Sequence, residues 1–161
     1  MSHWISPAAE TSEGLEEFKE GLSCLRQGDH FAALDHVRRA LEVEPRNAFY
    51  LSYAGLLIAQ TEERYESAEQ LCMEALGLKW NHAQLYLNLA DVYQRCGRTE
   101  DAIETLQKGL LSAGHDFRIR RALERLGVRR PPVLPFLERT HALNRKLGRL
   151  RHRLSGSARV A

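Results

Sequence analysis

Set against itself at an offset of 34 or 35 residues, the chain brings Ala33, Ala68 and Ala102 into line, and Gly21, Gly55 and Ala90 coincide at the same offsets. A period of that length marks stacked supersecondary units, none of which can bury its apolar face alone. Small residues recur because two antiparallel helices approach closely only where the facing side chains are small. In the third copy Tyr86, Leu89, Ala90 and Tyr93 stand at i, i+3, i+4 and i+7, one face of a 3.6-residue helix. Gly28-Asp29 and Gly97-Arg98 then supply the turn that ends such a helix, since glycine enters the left-handed cap conformation at little cost.

The third copy reads Tyr86-x2-Leu89-Ala90-x2-Tyr93, Gly97, Ala102-x3-Leu106, and it resembles the tetratricopeptide pattern W-x2-L-G-x2-Y…A-x3-F at the right internal spacing. The first copy (Gly21-x2-Cys24, Gly28, Ala33-x3-Val37-x2-Ala40, ending at Pro45) and the second (Leu51-x2-Ala54-Gly55-x2-Ile58, Ala68-x3-Cys72-x2-Ala75) stay in register, with one extra residue in the second copy's turn around 61–64. The first copy departs from the pattern at Glu17 and Glu20, where the outermost helix has no preceding repeat and leaves that edge wet; Trp80 replaces the closing proline of the second. The resemblance covers about residues 14 to 115 and implies an all-α, right-handed α-solenoid of three helix pairs, repeats about 14–47, 48–82 and 83–115.

Such a stack requires a cap over its last apolar face. Residues 116–127 supply one: Ile119, Ala122, Leu123 and Leu126 share a face, Arg118, Arg121 and Arg125 lie largely off it, Asp116 is the expected N-cap and Gly127 the stop. The repeat domain is therefore placed at 12–127, after a loose N-terminus of 1–11. Pro131, Pro132 and Pro135 then break any helix and open a segment, 128–161, that regains helical spacing at Leu143, Leu147, Leu150 and Leu154 among Arg145, Lys146, Arg149, Arg151 and Arg153. This reads as a basic amphipathic C-terminal helix.

Charge separates along the chain. The formal total is +2, yet residues 1–114 hold 10 basic and 18 acidic side chains, while residues 115–161 hold 13 basic and 3 acidic. A separation of that size creates a field directed at phosphate, anionic lipid or an acidic protein surface, the molecule's own repeats included.

Catalytic signatures are not found: the chain has no nucleophile elbow, phosphate-cradling glycine loop, HExxH or paired-carboxylate motif, and no cofactor or metal site is expected. The seven histidines are scattered and read as surface or turn residues. Three cysteines without a CxxC suit free thiols; Cys24 and Cys72 fall at apolar repeat positions and are expected to be buried, Cys96 to be exposed. No apolar run approaches the roughly 20 residues of a membrane span, and the start lacks a signal-peptide pattern, so a cytoplasmic address is expected.

The resemblance further implies a concave surface, lined by the first helix of each pair, that holds a peptide or helix of another protein. Candidate groove residues are Phe18, Leu22, Phe49, Tyr53 and Leu56 on the first two pairs, and Asn88, Asp91 and Arg95 on the third. The apolar first pair does not match the Lys, Asn and Arg of relatives that clamp a C-terminal carboxylate, and it suits an amphipathic helix better. An alternative is that Phe18 and Leu22 only pack within the first hairpin. For the basic helix four roles stay open: docking on the acidic repeats, self-association included; an acidic partner protein; nucleic acid, for which no aromatics are interleaved with the arginines; and an anionic membrane, for which the stripe lacks Trp and Phe. The expected function is a non-enzymatic adaptor, scaffold or assembly factor, the alternative a nucleic-acid or anionic-surface binder acting through the tail.

Overall fold

The computed structural model describes residues 7–114 and 116–127, together with Leu147. The chain divides into two units, Met1–Gly127 and Val128–Ala161, and all elements named below belong to the first. They are seven helices: α1 (Pro7–Gln27), α2 (His30–Val43), α3 (Ala48–Thr61), α4 (Tyr65–Leu78), α5 (Ala83–Arg95), α6 (Thr99–Ser112) and α7 (Phe117–Arg125). The first helix begins at Pro7, inside the stretch expected to be loose, and proline suits a first helical position because its missing N–H has no intrahelical partner there.

Helices pair in chain order, α1 with α2, α3 with α4 and α5 with α6; α3 also packs on α2 and α5, and α7 closes over α5 and α6. The aligned small residues are the close contacts. Ala33, Ala68 and Ala102 are fully buried. A Cβ on Gly55 would stand 2.6 Å from the Ala68 carbonyl oxygen, so nothing larger than hydrogen fits between α3 and α4 at their present separation. Between the layers lie Leu57, Leu85, Leu89, Leu106 and Ile119, each removed from water.

The turns follow the predicted chemistry with one exception. Gly28, Gly97 and Gly127 have φ of +84°, +78° and +83°. In the second pair, where the extra residue sits, Glu63 takes φ +53° in the equivalent place without glycine's freedom. Asp29 caps α2 by accepting from the Ala32 N–H at 3.0 Å, Asn47 caps α3 through the Phe49 N–H, and Asp116 caps α7 through the Arg118 N–H at 2.8 Å.

Glu20 is exposed, as an unpacked outer edge implies, whereas Glu17 is half-buried and partnered. The Glu17 carboxylate accepts hydrogen bonds from His36 at 2.7 Å and Arg39 at 2.9 Å, which ties α1 to its own partner helix α2. The His36 bond foremost, then that to Arg39, holds the Glu17 carboxyl below its ordinary range. Cys72 is buried and its thiol is pushed up to about 12 by desolvation, whereas Cys24 is half-buried, more open than its apolar repeat position implies.

Candidate functional groove

Helices α1, α3, α5 and α7 are the first-type helices, and their outward side chains build the face on which the candidate residues sit. At the N-terminal end Phe18 is buried, its ring 4.7 Å from Tyr50 and 5.3 Å from Tyr53 between centroids. It joins α1 to α3 as packing, so the alternative reading fits it better than a ligand contact does. Leu22 and Tyr53 remain half-buried. Desolvation raises the Tyr53 hydroxyl's pKa, opposed by the positive charge of Arg118 on α7.

Phe49 does not join this face. It is half-buried and packs, as Leu41, Leu71 and Leu76 do, against a buried cluster of Ala48, Leu51, Ala75 and Leu85. His82 meets the Phe49 ring edge-on at 4.6 Å and the Lys79 ammonium stands 4.8 Å from its centroid. It lines a separate cavity of about 780 Å³ with Pro45, Asn47 and Leu78. The first turn of α3 is thus covered by α4 and the turn before α5.

Toward the third pair a cavity of about 500 Å³ opens among α3, α5 and α7, bounded by Leu56, Gln84, Leu87, Asn88, Asp91, Phe117, Arg118, Arg121 and Arg125. Leu56 and Asn88 form parts of its wall that are 8% and 2% exposed, so neither projects freely into solvent. Asn88 donates to the Ser52 hydroxyl at 3.0 Å and accepts from Gln84 at 2.8 Å. Gln84 in turn accepts from Arg118 at 3.0 Å, and Arg118 pairs with Asp116 at 2.9 Å. A continuous ladder therefore runs from α3 through α5 to the cap. A second chain links His30 to Gln60, Gln60 to Asp91 at 3.3 Å, and Arg95 to Asp91 at 3.0 Å, so Asp91 and Arg95 largely satisfy each other.

The sequence places Arg118, Arg121 and Arg125 off the packing face of α7 without marking them as groove residues. The signal that places them was present, since α7 follows α6 as α5 follows α4, and its off-core face becomes the fourth step of the same surface. The predicted basic tail (Arg145, Lys146, Arg149, Arg151, Arg153) lies outside the described residues. Among the described residues no group of three or more His, Cys, Asp or Glu is gathered to hold a metal, and no helix is long and apolar enough to cross a membrane.

Residues 59–126 match the tetratricopeptide repeat family. The match runs from the end of α3 to the end of α7. The chain is 33% identical over 102 residues to the TPR repeat-containing thioredoxin TTL4 of Arabidopsis thaliana, which covers 63% of this chain and 15% of that protein. It is 30% identical over 95 residues to the inactive TPR repeat-containing thioredoxin TTL3 of the same plant, covering 58% of this chain and 14% of that one. The chain thus spans about one seventh of the length of the curated relatives it matches. Among solved structures, the first TPR of Spaghetti (RPAP3) bound to the HSP90 peptide SRMEEVD superposes with a TM-score of 0.62 at 16% identity, over 73% of this chain and 94% of that one. That likeness shows the tetratricopeptide fold.

Proposed function

We propose that this protein is a non-enzymatic adaptor, scaffold or assembly factor whose tetratricopeptide groove captures a peptide or helix of another protein. The carrying observation is the face itself: apolar and aromatic at Leu22 and Tyr53, polar at Gln84, and open as a cavity of about 500 Å³ at its C-terminal end. Such a mixture suits an extended or helical segment that offers apolar anchors and backbone hydrogen-bonding groups together. A neighbour of the same fold holds a bound HSP90 peptide, which supports a peptide-sized ligand as the class.

Affinity capture compares the wild type with full-length Leu22→Ala/Tyr53→Ala and with full-length protein neutralised at Arg145, Lys146, Arg149, Arg151 and Arg153, each at low and moderate salt. The groove reading expects the first variant to lose its partners and the second to keep them, with weak salt dependence. Partners lost only with the tail charges, and lost steeply with salt, transfer the function to the tail and support the anionic-surface reading.

A further inference from the structure

We propose that the α7 end of the groove is a subsite for an acidic segment of the bound peptide, with Arg121 and Arg125 as its anion-binding side chains. The proposal rests on the groove reading above and specifies the partner's chemistry: apolar residues against Tyr53 and Leu22, followed by Asp or Glu side chains against α7.

The arginines stand at positions 118, 121 and 125, i, i+3 and i+7 along one helical face, and all three border the same cavity. Ile119 and Leu123 are buried away from the cavity and Ala122 is buried in its wall, which fixes the rotation of α7 and so the direction of the row. The three guanidinium groups are not equivalent. Arg118 is engaged by Asp116 at 2.9 Å and by Gln84 at 3.0 Å, so its charge is compensated and its position set. Arg121 and Arg125 are both exposed beside the cavity. Asp91, the carboxylate in the same wall, is already occupied by Arg95 and Gln60. Arg121 and Arg125 thus present two guanidinium groups one turn apart at this end of the cavity, each able to bind a carboxylate bidentately.

Charge also narrows the occupant. Residues 128–161 carry nine basic side chains and one acidic, so their charge does not complement that of the arginine row. A nucleic-acid strand laid along the groove would pass from α7 onto a body in which acidic side chains outnumber basic ones, 18 to 10 over residues 1–114, and onto apolar Leu22 and Tyr53. A peptide that changes from apolar to acidic along its length matches both ends.

The test uses fluorescence anisotropy on the full chain with two labelled peptides, a Leu- and Phe-containing half followed by four glutamates and the same half followed by four glutamines. The glutamate peptide is expected to bind about tenfold more tightly at low salt, the advantage shrinking as salt rises. Arg121→Gln/Arg125→Gln should bring glutamate-peptide affinity down to that of the glutamine peptide on the same variant, and Arg120→Gln, outside the cavity lining, should preserve the advantage. Circular dichroism verifies that each variant is folded. The proposal is overturned if the wild type shows no preference for glutamate, if the preference survives Arg121→Gln/Arg125→Gln, or if it disappears on neutralising Arg145, Lys146, Arg149, Arg151 and Arg153. Failure of the groove reading looks different: Leu22→Ala/Tyr53→Ala would then leave binding of both peptides unchanged.

Discussion

Two glycines in adjacent helices predict opposite outcomes for the same substitution. Glycine in a helix is disfavoured relative to alanine by about 1 kcal/mol, so alanine is favourable wherever the methyl group has room. At Gly77 no atom lies within 4 Å of the added Cβ and the residue is exposed. Because Gly77 sits in the last turn of α4, the gain should be reduced to about 0.5 kcal/mol. At Gly55 the same methyl meets the Ala68 carbonyl oxygen at 2.6 Å and the Cys72 sulfur at 2.7 Å. The first is backbone in a buried turn of α4, which cannot swing aside as a flexible side chain would. Relief requires α3 and α4 to separate, and overpacking of this kind costs about 1–3 kcal/mol, which outweighs the propensity gain. Gly55→Ala should therefore lower Tm by several degrees and Gly77→Ala raise it by about two, at roughly 3–5 °C per kcal/mol for a domain of this size. Thermal unfolding followed by far-UV circular dichroism reads both. Stabilisation by Gly55→Ala equal to that by Gly77→Ala would refute the close approach of α3 and α4.

Glu63→Gly should raise Tm through about 0.5–1 kcal/mol, because Glu63 holds φ +53° where the equivalent turns use glycine; an unchanged or lower Tm contradicts that strain. In native protein a thiol reagent should titrate Cys24 and Cys96 while Cys72, fully buried and with its pKa pushed up to about 12, reacts only after unfolding; three fast thiols would contradict its burial. Glu17 has a folded pKa below its unfolded one, so its contribution is present above the unfolded value and is lost as pH falls through the folded value. Glu17→Gln should accordingly flatten the acid limb of the stability curve, whereas parallel curves would show that the bridge to His36 and Arg39 contributes nothing. Asn88→Ala strands the buried Ser52 hydroxyl and should cost about 1–3 kcal/mol; urea midpoints of Asn88→Ala and Ser52→Ala/Asn88→Ala compare the stranded with the doubly removed pair, and equal midpoints would argue against the bond.

Helix pairing was legible because it depends on local, periodic chemistry. Ala33, Ala68 and Ala102 had to be small whatever lay opposite, Gly28 and Gly97 had to end a helix, and Asp116 had to cap one. The groove was less legible because exposure there depends on distant partners. Phe49 and Tyr53 sit four residues apart on the same first-type helix and are both half-buried, yet Phe49 packs toward the Ala75 cluster and His82 while Tyr53 meets Phe18. Glu17 looked like an unfilled apolar position because its partners, His36 and Arg39, lie on the next helix. Asn88 looked like a surface amide because the acceptor that buries it, Ser52, is 36 residues away.

The same long-range bond explains why the cap can present a defined surface although α7 is only nine residues long. A helix that short has little stability of its own, so its position is set by what it touches. Ile119, Ala122 and Leu123 anchor its apolar side, and apolar contact alone tolerates rotation and sliding. The ladder from Ser52 through Asn88 and Gln84 to Arg118 adds directional contacts on the cavity side, and the Asp116 cap shares its last rung. Each rung is polar, and its inner members are buried, so a shift of α7 would leave at least one donor or acceptor without a partner. The polar ladder and the apolar anchor together define the register of the arginine row. They do so without engaging Arg121 or Arg125, which leaves those two side chains available to a partner in a frame fixed by the second and third helix pairs.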